Sequence, residues 1–353
     1  MAPGLRVETK SSGTLHIIRS VTTPHSTSPD EFALIDDLVS GLKPAQLSDL
    51  TVGIGDDCSA IRRGPFFDVY TTDTMVDGVH FLSESVDWED LGWKSIAVNL
   101  SDIAAMGAEP LHTLVTLGIP AGFPPEQLKS VYSGIDAITS KLGGPVTGGD
   151  IVRADKLFIS VTAVGTIDTR SSEYPDPMLR SNAKPGDVIG LAGGVGASGA
   201  GLQLIKDGKP VPGWAQVHNR PTPGVVAGQA LRNVGVTCAI DVSDGLVADL
   251  GHICERSNVE AMVEIEKVPV PTELKSTFPD EWWRLALTGG EDYVLLFTCP
   301  EEVFARAESA LETPLSRIGV VSDRSGSERN VVVLDATGND ITPAQGGWDH
   351  LSE

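Results

Sequence analysis

The chain has 353 residues, 41% hydrophobic and 21% charged, with 38 glycines and 23 prolines; it is too long for one simple core and has the composition of a turn-rich, soluble, two-domain protein. Its formal net charge of −22 opposes nucleic acid and anionic membrane surfaces, so neither is expected as a partner, and it also repels a nucleotide unless bound cations intervene. Four cysteines, Cys58, Cys238, Cys254 and Cys299, form no CxxC pair or zinc-like cluster, which predicts reduced, buried thiols in a cytoplasmic protein, and no apolar run reaches the ~18 residues that span a bilayer.

Residues 1–27, rich in Ser and Thr with Arg6, Lys10, Arg19 and one acid, Glu8, read as a poorly ordered extension without the amphipathic period of a targeting segment. The first helix is predicted to start at a capping box of Ser28 and Glu31 with Pro29 at its first position, and to bury Phe32, Ile35, Leu38, Val39 and Leu42. Short strands follow around 51–55 and 66–72, each running into an acid-bearing turn. Trp88 to Gly107 reads as a helix with Trp93, Ile96, Ala97, Leu100, Ile103 and Ala104 on one face. Ser95, Asn99 and Asp102 share the opposite side, either as an ordinary polar face or as a packed or ligand-facing one. A strand over 111–120, a helix over 124–143 and an alternating strand over 156–167 complete the first half. The Ser-, Pro- and Arg-rich segment 168–187 is a linker, which predicts an N-terminal domain over 28–170 and a C-terminal α/β domain over 171–353. Strands such as 187–193 and the one in "RNVVVLDATG" (329–338) mix irregularly with helices, as in an α+β or mixed-sheet α/β pair.

Aspartates beside glycine, hydroxyl or other small residues recur in five segments. They are "GIGDDCSAI" (53–61), "TTDTMVDGVHF" (71–81), "NLSDIAAMGAEP" (99–110), "TGGDIV" (147–152) and "AIDVSDGLVADLGHI" (239–253). Such a set suggests a shared bed for hard cations, because magnesium prefers oxygen ligands and is completed by substrate phosphates. Other motifs fail on inspection. Gly194, Gly196 and Gly199 spell G-x-G-x-x-G, but no acid follows about 20 positions on, so the stretch reads as a tight strand-to-helix connection. Ser198 lacks the final glycine of a nucleophile elbow, since Ala200 stands there. There is no Walker A string and no protein-kinase HRD or DFG. His80, His112, His218 and His252 are scattered and read as surface or packed histidines.

The strings "GIGDDCSAI", "TTDTMVDGVHF", "KSIAVNLSDIAAMGAEP", "GGDI", "RSNAKPGD", "AIDVSDGLVADLGHI", "LTGGEDYVLLFT" and "GGWDHL" follow one another from Gly53 to Leu351, within a likeness that runs from about residue 30. In that order they resemble the thiamine-monophosphate kinase family, within the superfamily that includes aminoimidazole ribonucleotide synthetase. The chain lacks the C-terminal cysteine of the hydrogenase-maturation member and any cysteine before position 58, as a selenophosphate synthetase would have. The segment between Asp168 and Arg180 is longer than the family's usual connection, and residues 1–27 have no counterpart. The resemblance implies a two-domain, mixed α+β fold of the aminoimidazole ribonucleotide synthetase type, with N-terminal domains pairing into a β-barrel in a homodimer. It also implies phosphorylation of thiamine monophosphate by ATP to thiamine diphosphate, the final step of that cofactor's synthesis, with several Mg2+ ions. No general base is implied, because the acceptor is already an ionised phosphate.

By the same resemblance the metal ligands are Asp57, Thr71, Thr72, Asp73, Asp102, Asp150, Asp241 and Asp244, with Asp57, Asp73 and Asp102 bridging ions. ATP is met by Tyr132, Gly149, Asp150, Arg180 and Ser243, and thiamine monophosphate by His80, Glu291 and Trp348, whose ring would stack on the cationic heterocycle. Asp56 and Asp77 are neighbours without an assigned role. Plainer roles compete: Thr71 and Thr72 as strand residues, Asp241 as cap of the helix from Gly245, Glu291 and Asp292 as a surface turn, Trp348 as a packed anchor. The rival functions are a superfamily enzyme for a purine intermediate, a non-catalytic metal- and nucleotide-binding regulator, and a magnesium-dependent phosphatase.

Overall fold

The structure is a computed structural model describing residues 31–42, 49–170, 172–326 and 329–348. Helix α1 (Glu31–Ser40) forms where the spacing predicts it, and the capping residues Ser28 and Pro29 lie outside the described residues. Leu38 and Leu42, expected in a buried stripe, are exposed, while Ile35 and Val39 are half-buried. Spacing shows which residues share a face, not whether another element covers it.

The residues from β1 to Trp348 form one compact unit. In its first half, strands β1 (Leu50–Val52), β2 (Ser59–Arg63), β3 (Phe66–Val76), β4 (Glu109–Ile119), β5 (Val146–Arg153) and β6 (Phe158–Asp168) make a six-stranded sheet in the order β1-β2-β3-β6-β4-β5. β1 is shorter than expected, because the chain turns at Gly55, whose φ is +113°. All neighbours are antiparallel except β4 and β5. A parallel pair cannot be joined by a hairpin. Helix α2 (Trp88–Ala105) precedes β4, and α3 (Pro125–Leu142) supplies the crossover from β4 to β5.

Helix α2 starts at Asp87, whose carboxylate accepts hydrogen bonds from the Glu89 and Asp90 N–H groups at 2.9 and 3.1 Å, satisfying free amides of the first turn. From Leu91 to Ala105 it is buried all round except at Asp102, which is half-buried. The side carrying Ser95 and Asn99 is therefore packed, at 1% and 0% exposure. α2 meets α3 at backbone contact: a Cβ on Gly92 would sit 1.8 Å from the Val131 carbonyl oxygen, and one on Gly134 1.8 Å from that of Glu89.

The second half builds another six-stranded sheet from β7 (Val188–Ala192), β8 (Cys238–Asp241), β9 (Val259–Glu264), β10 (Leu295–Cys299), β11 (Leu315–Asp323) and β12 (Val331–Leu334), in the order β12-β9-β11-β7-β10-β8. Only β12 and β9 run parallel. Its helices are α4 (Ala197–Lys206), α5 (Pro212–Asn219), α6 (Val225–Asn233), α7 (Leu246–Ser257), α8 (Thr272–Thr277), α9 (Trp282–Thr288) and α10 (Glu301–Ala310). Mixed sheets with irregularly placed helices make this the α+β arrangement expected. One apolar cluster runs from Val161 of β6 through Ile96 and Leu100 of α2 to Phe297 of β10 and Phe304 of α10, so α2 is core to both halves. All four cysteines are free and buried. No helix among the described residues is long and apolar enough to cross a membrane.

Candidate active site

Strand alternation sorts the acids of the first half. On β3, Thr71 and Asp73 share a face with the buried Phe67, Val69 and Met75, whereas Thr72 points the other way. Thr72 is exposed, donates to the Val161 carbonyl at 3.0 Å and accepts from Thr162 at 3.3 Å, so only its backbone is available on the side of Asp73. On that side α2 supplies Asp102, whose carboxylate accepts the Thr71 hydroxyl, and Asn99, whose amide oxygen accepts the Asp73 N–H at 3.1 Å. Asp57 comes from the Gly55 turn and Asp241 from the last position of β8, at 8% and 2% exposure.

One carboxylate oxygen from each of Asp57, Asp102 and Asp241 lies within 4.8 Å of the others. The Asp57 Oδ2 and Asp241 Oδ2 atoms are buried with no hydrogen-bond partner among the described residues. Arg180, from a short 3-10 turn after the linker, donates through Nη2 to Asp57 Oδ1 while its buried Nε stays unpaired. Burial, and then the Asp57 charge, push the Asp241 carboxyl up to about 8. Burial followed by Asp73, Asp241 and Asp57 holds Asp102 well above the usual carboxylate range. Burial raises Asp57 too, against the pull of Arg180. Three crowded, desolvated carboxylates with one guanidinium between them favour either protons or added cations. Unpaired, all-oxygen donors fit a hard divalent ion such as magnesium. Asp56 buttresses the turn by accepting the Asp57 and Arg180 N–H groups at 3.1 and 3.2 Å, and Asp77 accepts that of Ser83 at 2.9 Å.

The turn after β8 is held by a residue that the sequence reading did not single out. Asp249 Oδ2 accepts the N–H groups of Ser243, Asp244 and Gly245 at 3.1, 3.2 and 3.0 Å. Asp249, not Asp241, thus satisfies the start of α7, and an acid in a helix's first turn was the available signal. His252 joins Asp244 and Asp249 within 4.8 Å, its imidazole pushed down to about 4 by burial and then by Arg180.

A second loop, 289–293, packs on this turn. Glu291 N–H donates to the Ser243 carbonyl at 2.7 Å and Tyr293 N–H to that of Val242 at 2.8 Å. Gly290, Glu291 and Tyr293 all have positive φ, at 64°, 57° and 51°. Two bulky residues in the left-handed region mark a strained loop held by its surroundings. Asp292 is half-buried and accepts the Gly196 and Ser198 N–H groups at 2.7 and 3.1 Å. Val195 N–H donates to the Pro269 carbonyl at 3.0 Å, so three amides of the Gly194–Gly199 turn are occupied from within, as befits a connection rather than a dinucleotide site. Glu291 is no surface turn either: Lys94 Nζ lies 2.7 Å from its Oε1 and His218 Nδ1 3.3 Å from its Oε2. Burial works to raise the Glu291 carboxyl, but Lys94 and then His218 outweigh it and hold it below its usual range.

Trp348 N–H donates to the Asp244 carbonyl at 3.1 Å, and its side chain is 56% exposed. It is thus an exposed aromatic beside Asp244 rather than a buried anchor. His80 accepts the Val76 N–H on Nδ1 at 3.1 Å. Gly149 and Asp150 sit on exposed β5; the register Asp73–Val161–Val115–Gly149 places them three strands along the sheet from Asp73. Tyr132 lies on α3, 41% exposed. The structure thus gathers Asp57, Thr71, Asp73, Asp102, Arg180 and Asp241 in one place and Ser243, Asp244, Glu291 and Trp348 around the adjoining turn, with Gly149, Asp150 and Tyr132 on other elements.

Residues 55–167 match the family model for the AIR synthase related protein N-terminal domain, and 184–332 that for the C-terminal domain. The chain is 33% identical over 336 residues to a thiamine-monophosphate kinase of Bacillus subtilis, spanning 91% of this chain and 99% of the relative. A thiamine-monophosphate kinase of Escherichia coli K12 is 34% identical, with coverages of 91% and 98%. Among solved structures, AaThiL complexed with AMPPCP and TMP superposes with a TM-score of 0.77 at 32% identity, covering 91% of this chain and 97% of that one. Unpaired carboxylates, the strained Gly-Glu-Asp loop and these relatives agree: the chain belongs to the thiamine-monophosphate kinase family of AIR synthase related proteins.

Proposed function

We propose that the protein transfers the γ-phosphoryl group of ATP to thiamine monophosphate, giving ADP and thiamine diphosphate, the last step in making that cofactor. The observation that carries this reading is the Asp57–Asp102–Asp241 cluster with two buried, unpaired carboxylate oxygens. Its context is a relative solved with AMPPCP, an ATP analogue, together with TMP.

The acceptor oxygen belongs to a phosphate already ionised at neutral pH, so the chain's task is to position two anions in line and offset their repulsion. Asp57, Thr71, Asp73, Asp102, Asp241 and Asp244 are the side chains that would hold Mg2+, with Thr72 contributing through its backbone; Asp150, in register with Thr116 and Ser160 and so on the face of the sheet opposite Asp73, is kept as a ligand on the family resemblance alone. The bound ions supply the charge neutralisation that an acidic protein cannot. Arg180 and the Ser243 turn orient the ATP phosphates, with Gly149 and Tyr132 along the nucleotide. Glu291, His80 and the exposed Trp348 orient the thiamine moiety.

The reading extends to a cytoplasmic homodimer whose N-terminal sheets pair into a barrel. Leu114 of β4 and Val152 of the edge strand β5, which the register puts on one face of the sheet, are 42% and 40% exposed, an apolar surface that a second copy would cover. It also keeps the division into domains over 28–170 and 171–353, supported by one sheet in each half. The functional test is incubation with ATP, Mg2+ and thiamine monophosphate, followed by chromatographic separation of thiamine species and nucleotides. Equal amounts of ADP and thiamine diphosphate are expected; ADP alone would move the acceptor to another small molecule of the superfamily.

A further inference from the structure

Lys94 is an unusual residue for its place. It lies in the middle of α2, 4% exposed, one position after Trp93. A lysine ammonium is almost never fully buried without a partner, because desolvation of an unpaired charge is costly. Its partner is Glu291 Oε1 at 2.7 Å, which belongs to the other half of the protein. The second Glu291 oxygen faces His218 Nδ1 at 3.3 Å, and that nitrogen lies 3.0 Å from Ser198 Oγ. His218 and Ser198 are themselves 6% and 1% exposed. Both oxygens of the carboxylate are thus held by different, rigidly packed groups.

The frame around the pair is equally fixed. Trp93 Nε1 donates to the Pro221 carbonyl at 2.6 Å, and the Arg220 guanidinium stacks 4.5 Å from the centre of the same indole while pairing with Glu89 and Asp90. This locks the end of α5, and with it His218, against α2. Meanwhile the Glu291 backbone is held in the left-handed region, and its side chain keeps 29% exposure toward solvent. A partly open carboxylate on a strained loop, clamped from behind by a buried cation, is pre-organised to present one edge outward.

We propose that Lys94 is a positioning residue: through its ion pair it fixes the Glu291 carboxylate in the orientation that binds the thiamine moiety, without touching the substrate. This rests on the proposed role of Glu291 as a substrate contact. Because Lys94 acts only through Glu291, the two substitutions must not combine. The test is steady-state kinetics on the full chain for wild type, K94M, E291Q and K94M/E291Q, with ATP and thiamine monophosphate varied separately. K94M and E291Q are each expected to raise KM for thiamine monophosphate about tenfold, with KM for ATP and kcat within about twofold. The double variant is expected to match E291Q alone, and K94R to fall between K94M and wild type.

Multiplying effects in the double variant would overturn the proposal, as would a K94M enzyme with unchanged KM for thiamine monophosphate, or one with both KM values raised alike. If K94M or E291Q alone does not fold, because each leaves one charge of the pair unpartnered, K94R and K94M/E291Q still give the test: a rise confined to KM for thiamine monophosphate in both supports the proposal, and unchanged values or an equal rise in both KM values refutes it. An E291Q enzyme of wild-type KM would remove the role of Glu291 and the proposal with it. A wild type that forms no thiamine diphosphate would instead refute the proposed function, before any variant is compared.

Discussion

Replacing Asp249 separates the architecture of the site from its chemistry. Its Oδ2 atom accepts three backbone N–H groups, and the side chain is 1% exposed. Asp249→Ala leaves all three donors without an acceptor. An orphaned buried donor costs about 1–3 kcal/mol. Gly245 is buried, so its donor carries the full cost, whereas Ser243 and Asp244 are half-buried and water replaces part of theirs. Burial, then Asp244 and Asp241, hold the Asp249 carboxyl well above its usual range, so removing it also relieves an ionisation cost. The net loss for Asp249→Ala is about 3 kcal/mol, and an apparent Tm decrease of roughly 4 °C follows. Asp249→Asn keeps an acceptor oxygen at the same place and is expected to lose only about 1 kcal/mol. Activity should fall steeply in the Ala variant, because the Glu291 and Trp348 amides hang on the Ser243 and Asp244 carbonyls. Thermal unfolding of the two variants beside wild type is the assay. An Ala variant within 1 °C of wild type, or an Asn variant as damaged as Ala, would refute the reasoning.

Three further outcomes are expected. Asp150→Asn should abolish turnover with an unchanged unfolding temperature, since Asp150 lies on an exposed strand and, among the described residues, bonds only its neighbour's amide, Ile151 N–H, at 2.8 Å; wild-type activity would remove it from the site. Burial raises Asp56 to about 7 and Asp241 to about 8, far above their unfolded value of 3.8. Their contribution to stability is complete below about pH 4 and is lost as pH rises through about 7 to 8, so metal-free protein should melt progressively lower across that window. Mg2+ competes with those protons, so its stabilising effect should grow from pH 6 to 9 in melts with chelator and with magnesium; an effect independent of pH would contradict this. Light scattering should give about twice the 37.2 kDa chain mass, and a monomer at micromolar concentration would count against pairing through β4 and β5.

What could be read from the residues alone, and what could not, divides along physical lines. Helix α2 was legible because eighteen residues of clear period need no partner to be recognised, whereas the small size of Ser95 and Asn99 left an ordinary polar face and a packed one both open. The grouping of Asp57, Asp102 and Asp241 was foreshadowed by composition and order, because each stands on a separate motif beside small residues. Thr72 was grouped with Thr71 because adjacency in a motif ignores the two-residue alternation of a strand, which sends their side chains to opposite faces. Lys94 and Asp249 escaped notice, and His218 was read only as a surface or packed histidine, for a different reason. Each acts through a partner far along the chain or through backbone amides, and no spacing rule connects Lys94 with Glu291 across nearly two hundred positions. Leu38 and Leu42 show the converse, where a correct helical period suggested burial that the fold does not provide.

The central claim is that this carboxylate site moves a phosphoryl group onto thiamine monophosphate. Phosphorus-31 NMR of the protein with ATP, Mg2+ and thiamine monophosphate follows donor and acceptor in one sample. The account expects the thiamine monophosphate signal to give way to the paired signals of thiamine diphosphate as ADP appears, and no change when magnesium is chelated. Loss of ATP with release of inorganic phosphate, leaving the thiamine monophosphate signal intact, would contradict it.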